Sequence, residues 1–306
     1  MVKADGYGLG AKRIAKYVED VVDGFGVETL EEGIELRKAG ISKDILVLAL
    51  EKNEISTAYR YALTVGLHNF VQLAKIESLI GLNRICADKL RVQIKVDSGM
   101  HRLGFEPSDL QDVLKRARRV GLRVEGVYSH LRDDTETQKP CFDSAVSVVR
   151  EFYPQAKAHL ASSHSLGNAD LRYDAVRLGI GAYEGAVKIL SQVIESRHVK
   201  AGEAVSYGKE IMQADCNVAV VFGGYADSVA RENPSSVRIN GRKCRVVGNV
   251  CMDCFVVETG ECVAKIGEKV LIFDKNTVSE VAKERRTIEY TLTTGIKGRV
   301  KRKYLT

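Results

Sequence analysis

The chain has 306 residues, 45% hydrophobic and 28% charged, with a formal net charge of +6. This is ordinary globular composition, long enough for one large domain or two smaller ones. No run reaches the ~18 apolar residues of a membrane span, and the N-terminus lacks the apolar core of a secretory signal, so a soluble cytoplasmic protein is expected.

The chain begins "MVKADGYGLGAKRIAKYVED", with Lys3 followed by Gly6, Gly8 and Gly10 ahead of a helix. The glycine order does not fit a dinucleotide fingerprint, and no Gly-Lys-Ser/Thr follows as in a phosphate-binding P-loop. In "DGFGVETLEEGIELRKAGISKDILVLAL", "FGV" reads as a short strand and Thr29-x-x-Glu32 as a capping box. Leu30, Ile34 and Leu36 face a core at helical spacing. Arg37 and Lys38 fall in the last turn, Gly40 just past it, and "DILVLAL" is a buried strand. Further strands are expected at 68–73, 92–96, 124–130, 157–162 and 175–179. With "VK" at 2–3 and the two strands above these make eight. Strands alternating with helices imply a parallel sheet, and eight such repeats imply a TIM-type (β/α)8 barrel.

Lys3, Arg102, His130, Ser162, Ser163 and Arg177 all fall at or just beyond the C-terminal ends of those strands. That rim carries the chemistry of such barrels, and a cation-rich rim suits an anionic ligand. A lysine there can form a Schiff base with a carbonyl cofactor, chiefly pyridoxal 5′-phosphate.

Past about residue 190 the texture changes to short β-rich runs broken by Gly and Asn. "INGRKCRVV" reads as a hairpin turned at Asn240-Gly241. The expected organisation is a barrel over 1–190 and an all-β domain over 191–306. The cysteines (Cys86, Cys141, Cys216, Cys244, Cys251, Cys254 and Cys262) are odd in number and scattered, against a disulfide framework. Cys251-x-x-Cys254 lacks two further ligands nearby, so two thiols on a strand-rich segment are expected, and no metal. The basic end "KGRVKRKY" stands apart from any nucleic-acid motif; a small anion or plain solvation accounts for it more simply.

Several stretches, in order, resemble the alanine racemase family: "VKADGYGLGA" its cofactor-lysine motif, "IKVDSGMHRLGF" its KVDTGM-x-RLGF, "VRLGIGAYEG", "GEAVSYGKE", "GGYADS", "VGNVCMDCFVVE" against G-x-VCMDQ-x-x-V, and "GRVKRKY" against its closing motif. The resemblance implies a pyridoxal-phosphate barrel followed by a β-domain. It implies that Lys3 holds the cofactor and then serves as base on one face of the substrate, with Tyr207 from the second subunit of a homodimer as the opposite base. His130 would tune that tyrosine, and Arg177 would hydrogen-bond the pyridine nitrogen. Tyr7, Ser163, Gly179, Ile180 and Tyr304 would hold the phosphate. Arg102 and the backbone near Met252 would meet the substrate carboxylate, Tyr225 would line the mouth of the site, and Lys95 would be a carbamylation position. The implied reaction interconverts L- and D-alanine, the latter for bacterial cell-wall peptide, by proton transfer through two bases.

The same chemistry on serine or a basic amino acid, and a non-catalytic pyridoxal-phosphate-binding barrel, are the alternatives. Before the cofactor lysine the family pattern has a strand, a helix and most of the first barrel strand, where this sequence has Met1 and Val2. The expectation is therefore a first strand truncated, and a chain that as written is an inactive fragment unless its start lies upstream. Leu9, Ser162 and Ser228 also depart from the pattern, standing for His, Asn and Gly; none removes a catalytic group.

Overall fold

The computed structural model describes residues 1–132, 135–208, 210–232 and 234–305. It divides into two compact units, Met1–Ala182 and Tyr183–Thr306.

The first unit is a parallel sheet of seven strands in sequence order: β1 (Gly24–Val27), β2 (Asp44–Val47), β3 (Thr64–Leu67), β4 (Arg91–Lys95), β5 (Arg123–Tyr128), β6 (Lys157–Ser162) and β7 (Ala175–Arg177). Strictly sequential parallel pairing, each crossover carrying a helix or helical turns, is the layout of a (β/α) barrel. The helices are α1 (Lys3–Tyr7), α2 (Ala11–Val18), α3 (Leu30–Lys38), α4 (Ile55–Arg60), α5 (Phe70–Gly81), α6 (Leu110–Arg119) and α7 (Thr135–Phe152). Val27, Ile45, Val47, Val65, Leu67, Val92, Ile94 and Val127 are wholly buried along the strands, packed against Leu36, Ile76 and Leu110 from the helices.

Two expectations are corrected. Residues 68–73 are not a strand: β3 is "TVGL", and Asn69 caps α5 by accepting from the backbone N–H of Gln72. Gln72 Oε1 in turn accepts from the His68 N–H, so the pair forms a reciprocal cap of the kind found at Thr29 and Glu32. Leu73, Ile76 and Leu79 then follow at helical spacing. The true strand escapes pattern reading because it is four residues long, buried on both faces and interrupted by Gly66, where an added Cβ would lie 2.5 Å from the Tyr128 hydroxyl.

The "VK" strand is the second correction. Met1 and Val2 have no strand conformation, yet they hydrogen-bond to both sides of the sheet: Val2 N–H to Gly26 O at 2.9 Å, beside β1, and the Met1 amine to Leu178 O at 2.6 Å, just past β7. From Ala4 to Gly8 the chain runs through left-handed φ values of 52 to 82°, closed by Gly6 N–H to Val2 O and Gly8 N–H to Ala4 O, both at 2.8 Å. Left-handed turns cost L-residues roughly 1–2 kcal/mol each. Here the turn is held by Asp5, which accepts from the Ala11 N–H that opens α2, and by Glu32, which accepts from the Ala4 N–H at 2.6 Å.

The second unit is antiparallel: β8 (Ile189–Val199), β9 (Ala204–Val205), β10 (Glu210–Ile211), β11 (Cys216–Phe222), β12 (Val237–Ile239), β13 (Arg242–Cys244), β14 (Val246–Val247), β15 (Cys254–Gly260) and β16 (Lys269–Phe273). Seven strands run in the order β13-β12-β16-β8-β11-β15-β14, with β9 and β10 a separate ribbon. Val193, Ala219, Val221, Phe255, Val257 and Val270 form its core. The Asn240-Gly241 hairpin is as expected: Ile239 pairs with Arg242, and both turn residues have positive φ, 50° and 79°.

Candidate active site

Strand ends of the first unit gather a cationic cluster. Lys3 follows Val2 beside β1; Lys95 ends β4; His130 lies two residues past β5; Arg177 ends β7. Arg102 sits on the loop after β4, which is organised by one carboxylate. Asp97 Oδ1 accepts from the N–H groups of Gly99, Met100 and His101 at 2.8–3.0 Å, and Oδ2 from that of Arg102 at 3.2 Å. Four donated bonds hold the Asp97 carboxyl below the usual range even though burial opposes this. Gly104 closes the loop at φ 132°, where any Cβ would collide with Val96 and Asp97 backbone. The motif "VDSGMHRLGF" is thus a rigid turn that sets where Arg102 begins.

The cations act on one another. Lys95 is buried, and desolvation followed by Arg177 and Arg102 lowers its amine to about 8. His130 is pushed down to about 4 by burial and then by Arg177, Arg102, Lys95 and Lys3, so its ring is neutral at pH 7. Arg177 is lowered to about 10 by burial, which leaves it protonated.

Arg177 is held by its surroundings. Nη1 donates to His159 Nδ1 at 2.5 Å and to His159 O at 2.8 Å; Nη2 donates to Ser129 O at 2.5 Å and Leu160 O at 3.0 Å. A guanidinium can only donate, so His159 Nδ1 accepts. Its proton is therefore on Nε2, facing Gln93 Oε1 at 2.7 Å. Burial and the neighbouring cations keep this histidine neutral. Its ring stacks on Tyr128 at 5.1 Å between centroids, and Lys95 and Arg177 also lie over the Tyr128 ring. With four N–H directions used, Arg177 keeps its Nε–H for another partner.

A second feature is a small anion-type cradle. Ser163 Oγ accepts from the N–H of Gly179 at 2.9 Å and that of Gly181 at 3.1 Å, the two residues flanking Ile180. Tyr7 is buried, and a Cβ on Gly179 would lie 2.5 Å from its hydroxyl oxygen. Only glycine lets the phenol, the hydroxyl and the two amides converge there.

Sequence reading passed over Glu28, His159, Gln93 and Tyr128. Glu28 follows β1 directly and accepts from Lys3 Nζ at 2.7 Å. Its place at a strand end is the same signal that marks Lys3, masked by the adjacent capping box. His159 is a polar residue in the middle of the apolar "KAHLAS", and that exception was its signal.

In the second unit Tyr207 stands between Ser206 (φ 57°) and Gly208 (φ 97°) on a knuckle tied down by Asn249, whose N–H donates to Tyr207 O at 2.7 Å. Its side chain is exposed, as are those of Tyr225, Met252 and Tyr304. Tyr225 and Met252 belong to paired loops: Tyr225 N–H donates to Cys251 O and Ala226 N–H to Met252 O, both at 3.1 Å. Arg299 fastens those loops, donating to Asp227 at 2.6 and 3.0 Å and to Asp253 at 2.6 Å. Part of the basic tail is thereby engaged by carboxylates of its own chain, and these bonds link the "GGYADS", "CMDC" and "GRVKRKY" stretches physically. Cys251 and Cys254 are free thiols.

A lysine, an arginine fixed by a neutral histidine and a serine-organised glycine loop gather at the strand ends of a (β/α) barrel, the rim where barrel enzymes carry their chemistry, in a chain that also has a separate antiparallel unit. The family model described as alanine racemase, N-terminal domain, matches residues 1–186, and that for the alanine racemase C-terminal domain matches residues 186–304. The chain belongs to the alanine racemase family. It is 30% identical over 336 residues to an alanine racemase of Streptococcus equi subsp. zooepidemicus, covering 99% of this chain and 90% of the relative. An alanine racemase of Streptococcus pneumoniae strain Taiwan19F-14 is 32% identical over 339 residues, with the same coverage. Among solved structures, alanine racemase from Clostridium difficile 630 superposes with a TM-score of 0.89 at 29% identity, over 98% of this chain and 87% of that one. Alanine racemase from Bartonella henselae, solved with covalently bound pyridoxal phosphate, gives 0.89 at 24% identity over 99% and 91%, a likeness of fold.

Proposed function

We propose that the chain interconverts L- and D-alanine with pyridoxal 5′-phosphate held on Lys3. The observation that carries this is the convergence at one rim of an amine, a donor-rich cradle and a protonated arginine, in a chain of this family along its whole length.

The residues fit the cofactor. Tyr7 and Ser163 bring hydroxyls suited to a phosphate, with Ser163 set in place by the Gly179 and Gly181 N–H groups, and Tyr304 would add a phenol; a Cβ at Gly179 would spoil the cradle. The buried Tyr128 hydroxyl, which has no hydrogen-bond partner among the described residues, marks polar capacity beside the cations. When bound, pyridoxal phosphate supplies an electron sink that acidifies the substrate α-carbon. Arg177 stays charged and brings a donor, never an acceptor, to the pyridine nitrogen; this limits how far that nitrogen can be protonated and favours proton exchange over decarboxylation or transamination. Arg102 and the backbone by Met252 hold the substrate carboxylate. Lys3 takes or returns the α-proton on one face and Tyr207 does so on the other, with neutral His130 accepting a hydrogen bond that steadies the phenol.

Tyr207, Tyr225 and Met252 carry exposed apolar surface on firmly tied loops, which supports their delivery to a partner subunit's barrel in a homodimer. A buried lysine amine near pH 8 supports carbamylation of Lys95. Adding pyridoxal phosphate, reducing with borohydride and mapping the adduct tests the reading. It should sit on Lys3, and Lys3→Ala should lose both the adduct and racemisation by at least about 10⁴-fold; an adduct elsewhere would overturn it.

A further inference from the structure

We propose that Glu28 is a positioning residue for Lys3, holding its Nζ and stabilising it as ammonium after it has taken a proton from the α-carbon. The inference rests on the reading of Lys3 as the cofactor lysine.

Lys3 Nζ and Glu28 Oε2 are 2.7 Å apart, and both side chains are about two-fifths exposed, at 38% and 40%. A surface pair of that exposure is commonly adventitious. This one is built from both ends. Glu32 accepts from the N–H groups of Glu28 (2.8 Å) and Thr29 (3.2 Å) through Oε2, and from that of Ala4 (2.6 Å) through Oε1. One carboxylate thus clamps the backbone beside Lys3 to the backbone of Glu28. Val2 N–H to Gly26 O, two residues before Ala4 and Glu28, adds a second tie. The stems of the pair are fixed before the side chains meet.

The charges nearby make the pair matter. Close to it are Lys95 on β4, on which Glu28 acts, Arg177 on β7 and the Met1 amine, with His130 beyond β5 neutral. The carboxylates of Glu32 and Asp97 are occupied by backbone N–H groups, three on Glu32 and four on Asp97. Glu28 also acts on Lys95 and on Tyr128. It is therefore the carboxylate disposed to balance charge arriving on Lys3.

Lysine needs two opposite things in this reaction. To capture the cofactor aldehyde its neutral amine forms a C=N bond and water leaves. To act as base it accepts the α-proton, the C–H electron pair staying on carbon, and becomes ammonium. A carboxylate at hydrogen-bond distance favours the ammonium over the amine. Glu28 thus slows the capture and helps the proton transfer.

The test compares wild type, Glu28→Gln, Glu28→Asp and Lys3→Ala. Apoprotein is mixed with pyridoxal phosphate at fixed pH, and the borohydride-reduced adduct is followed by peptide mass. The holoenzymes are then given each enantiomer of α-deuterated alanine in water, and washout of the label is read separately for each. Glu28→Gln should capture cofactor about fivefold faster, the size expected of a half-exposed ion pair. It should lose label about fivefold more slowly from one enantiomer only, and Glu28→Asp should recover both values in large part. Equal slowing for both enantiomers, or no change in either readout with the adduct on Lys3, overturns the role of Glu28 alone. An adduct that persists in Lys3→Ala overturns the reading beneath it.

Discussion

The barrel unit and the β unit solve opposite problems with their polar groups. In the barrel, rim groups are sunk among partners: Arg177 is fixed by three backbone carbonyls and a neutral histidine, and Asp97 by four amides. In the β unit, Tyr207, Tyr225 and Met252 stand exposed, and rigidity is confined to the backbone beneath them. The first arrangement fixes charge where a small ligand would bind. The second presents side chains outward on a firm mount, as suits groups that work against another surface. The contrast explains why the barrel residues can be judged from their own contacts and the β-unit residues only from what they do to a reaction.

The largest test of the contrast is Tyr207→Phe. The variant loses a hydroxyl from an exposed side chain, so the fold should be untouched and the melting temperature unchanged. Racemisation should fall by about 10²- to 10⁴-fold, the usual contribution of one general acid–base group. Label at the α-carbon should still wash out of one enantiomer, through Lys3, and be retained in the other. Washout from both at the wild-type rate would mean that the phenol is no base, and that the outward-facing half of the comparison has no chemical role.

Arg177→Lys probes the sunken half and should strike stability first. Lysine brings three donors from one point where the guanidinium spreads over His159 Nδ1 and three backbone carbonyls, so at least one buried acceptor is stranded. A loss of about 2–3 kcal/mol is expected from such an orphan and is measurable by urea unfolding of the apoprotein. An unchanged midpoint would show that the network is solvated and replaceable, and the division between the two units would weaken.

How much of this could be read from sequence follows the same division. The β/α alternation, the caps at Thr29 and the turn at Asn240-Gly241 are local signals carried by a few adjacent residues, and the structure has them as read. β3 was misread because its four residues carry no alternation, and its neighbour "NFVQL" mimics a strand until Gln72 is seen as a cap. The strand-end rule gathers Lys3, Arg102, His130, Ser162, Ser163 and Arg177 because barrel topology turns sequence position into shared space. It could not rank them. That depends on the Arg177–His159–Gln93 chain, which joins three strands, and on the Glu32 clamp, which joins α3 to the turn at Ala4 and to the residue after β1. Among the acids of "ETLEE", Glu28 is set apart by its place directly after β1 and by its contact with Lys3.

Lys95 gives the finest discrimination, because it tests whether a sunken group is sunken enough to change its chemistry. Its amine ordinarily titrates near 10.5 and is lowered to about 8, by burial first and by Arg177 and Arg102 next. Lowering the value of a base raises the free amine at a given pH, and the free amine is the form that adds carbon dioxide. Between pH 6 and 8 that fraction should rise by about 50-fold and then level off, whereas an ordinary lysine would keep climbing tenfold per unit to beyond pH 10. Protein equilibrated with ¹³C-bicarbonate should give a carbamate resonance that follows this curve and is lost in Lys95→Arg. A signal that keeps rising past pH 9, or that survives the substitution, would mean the amine is open to water like those of the β unit, and that burial at the strand end does not set its reactivity.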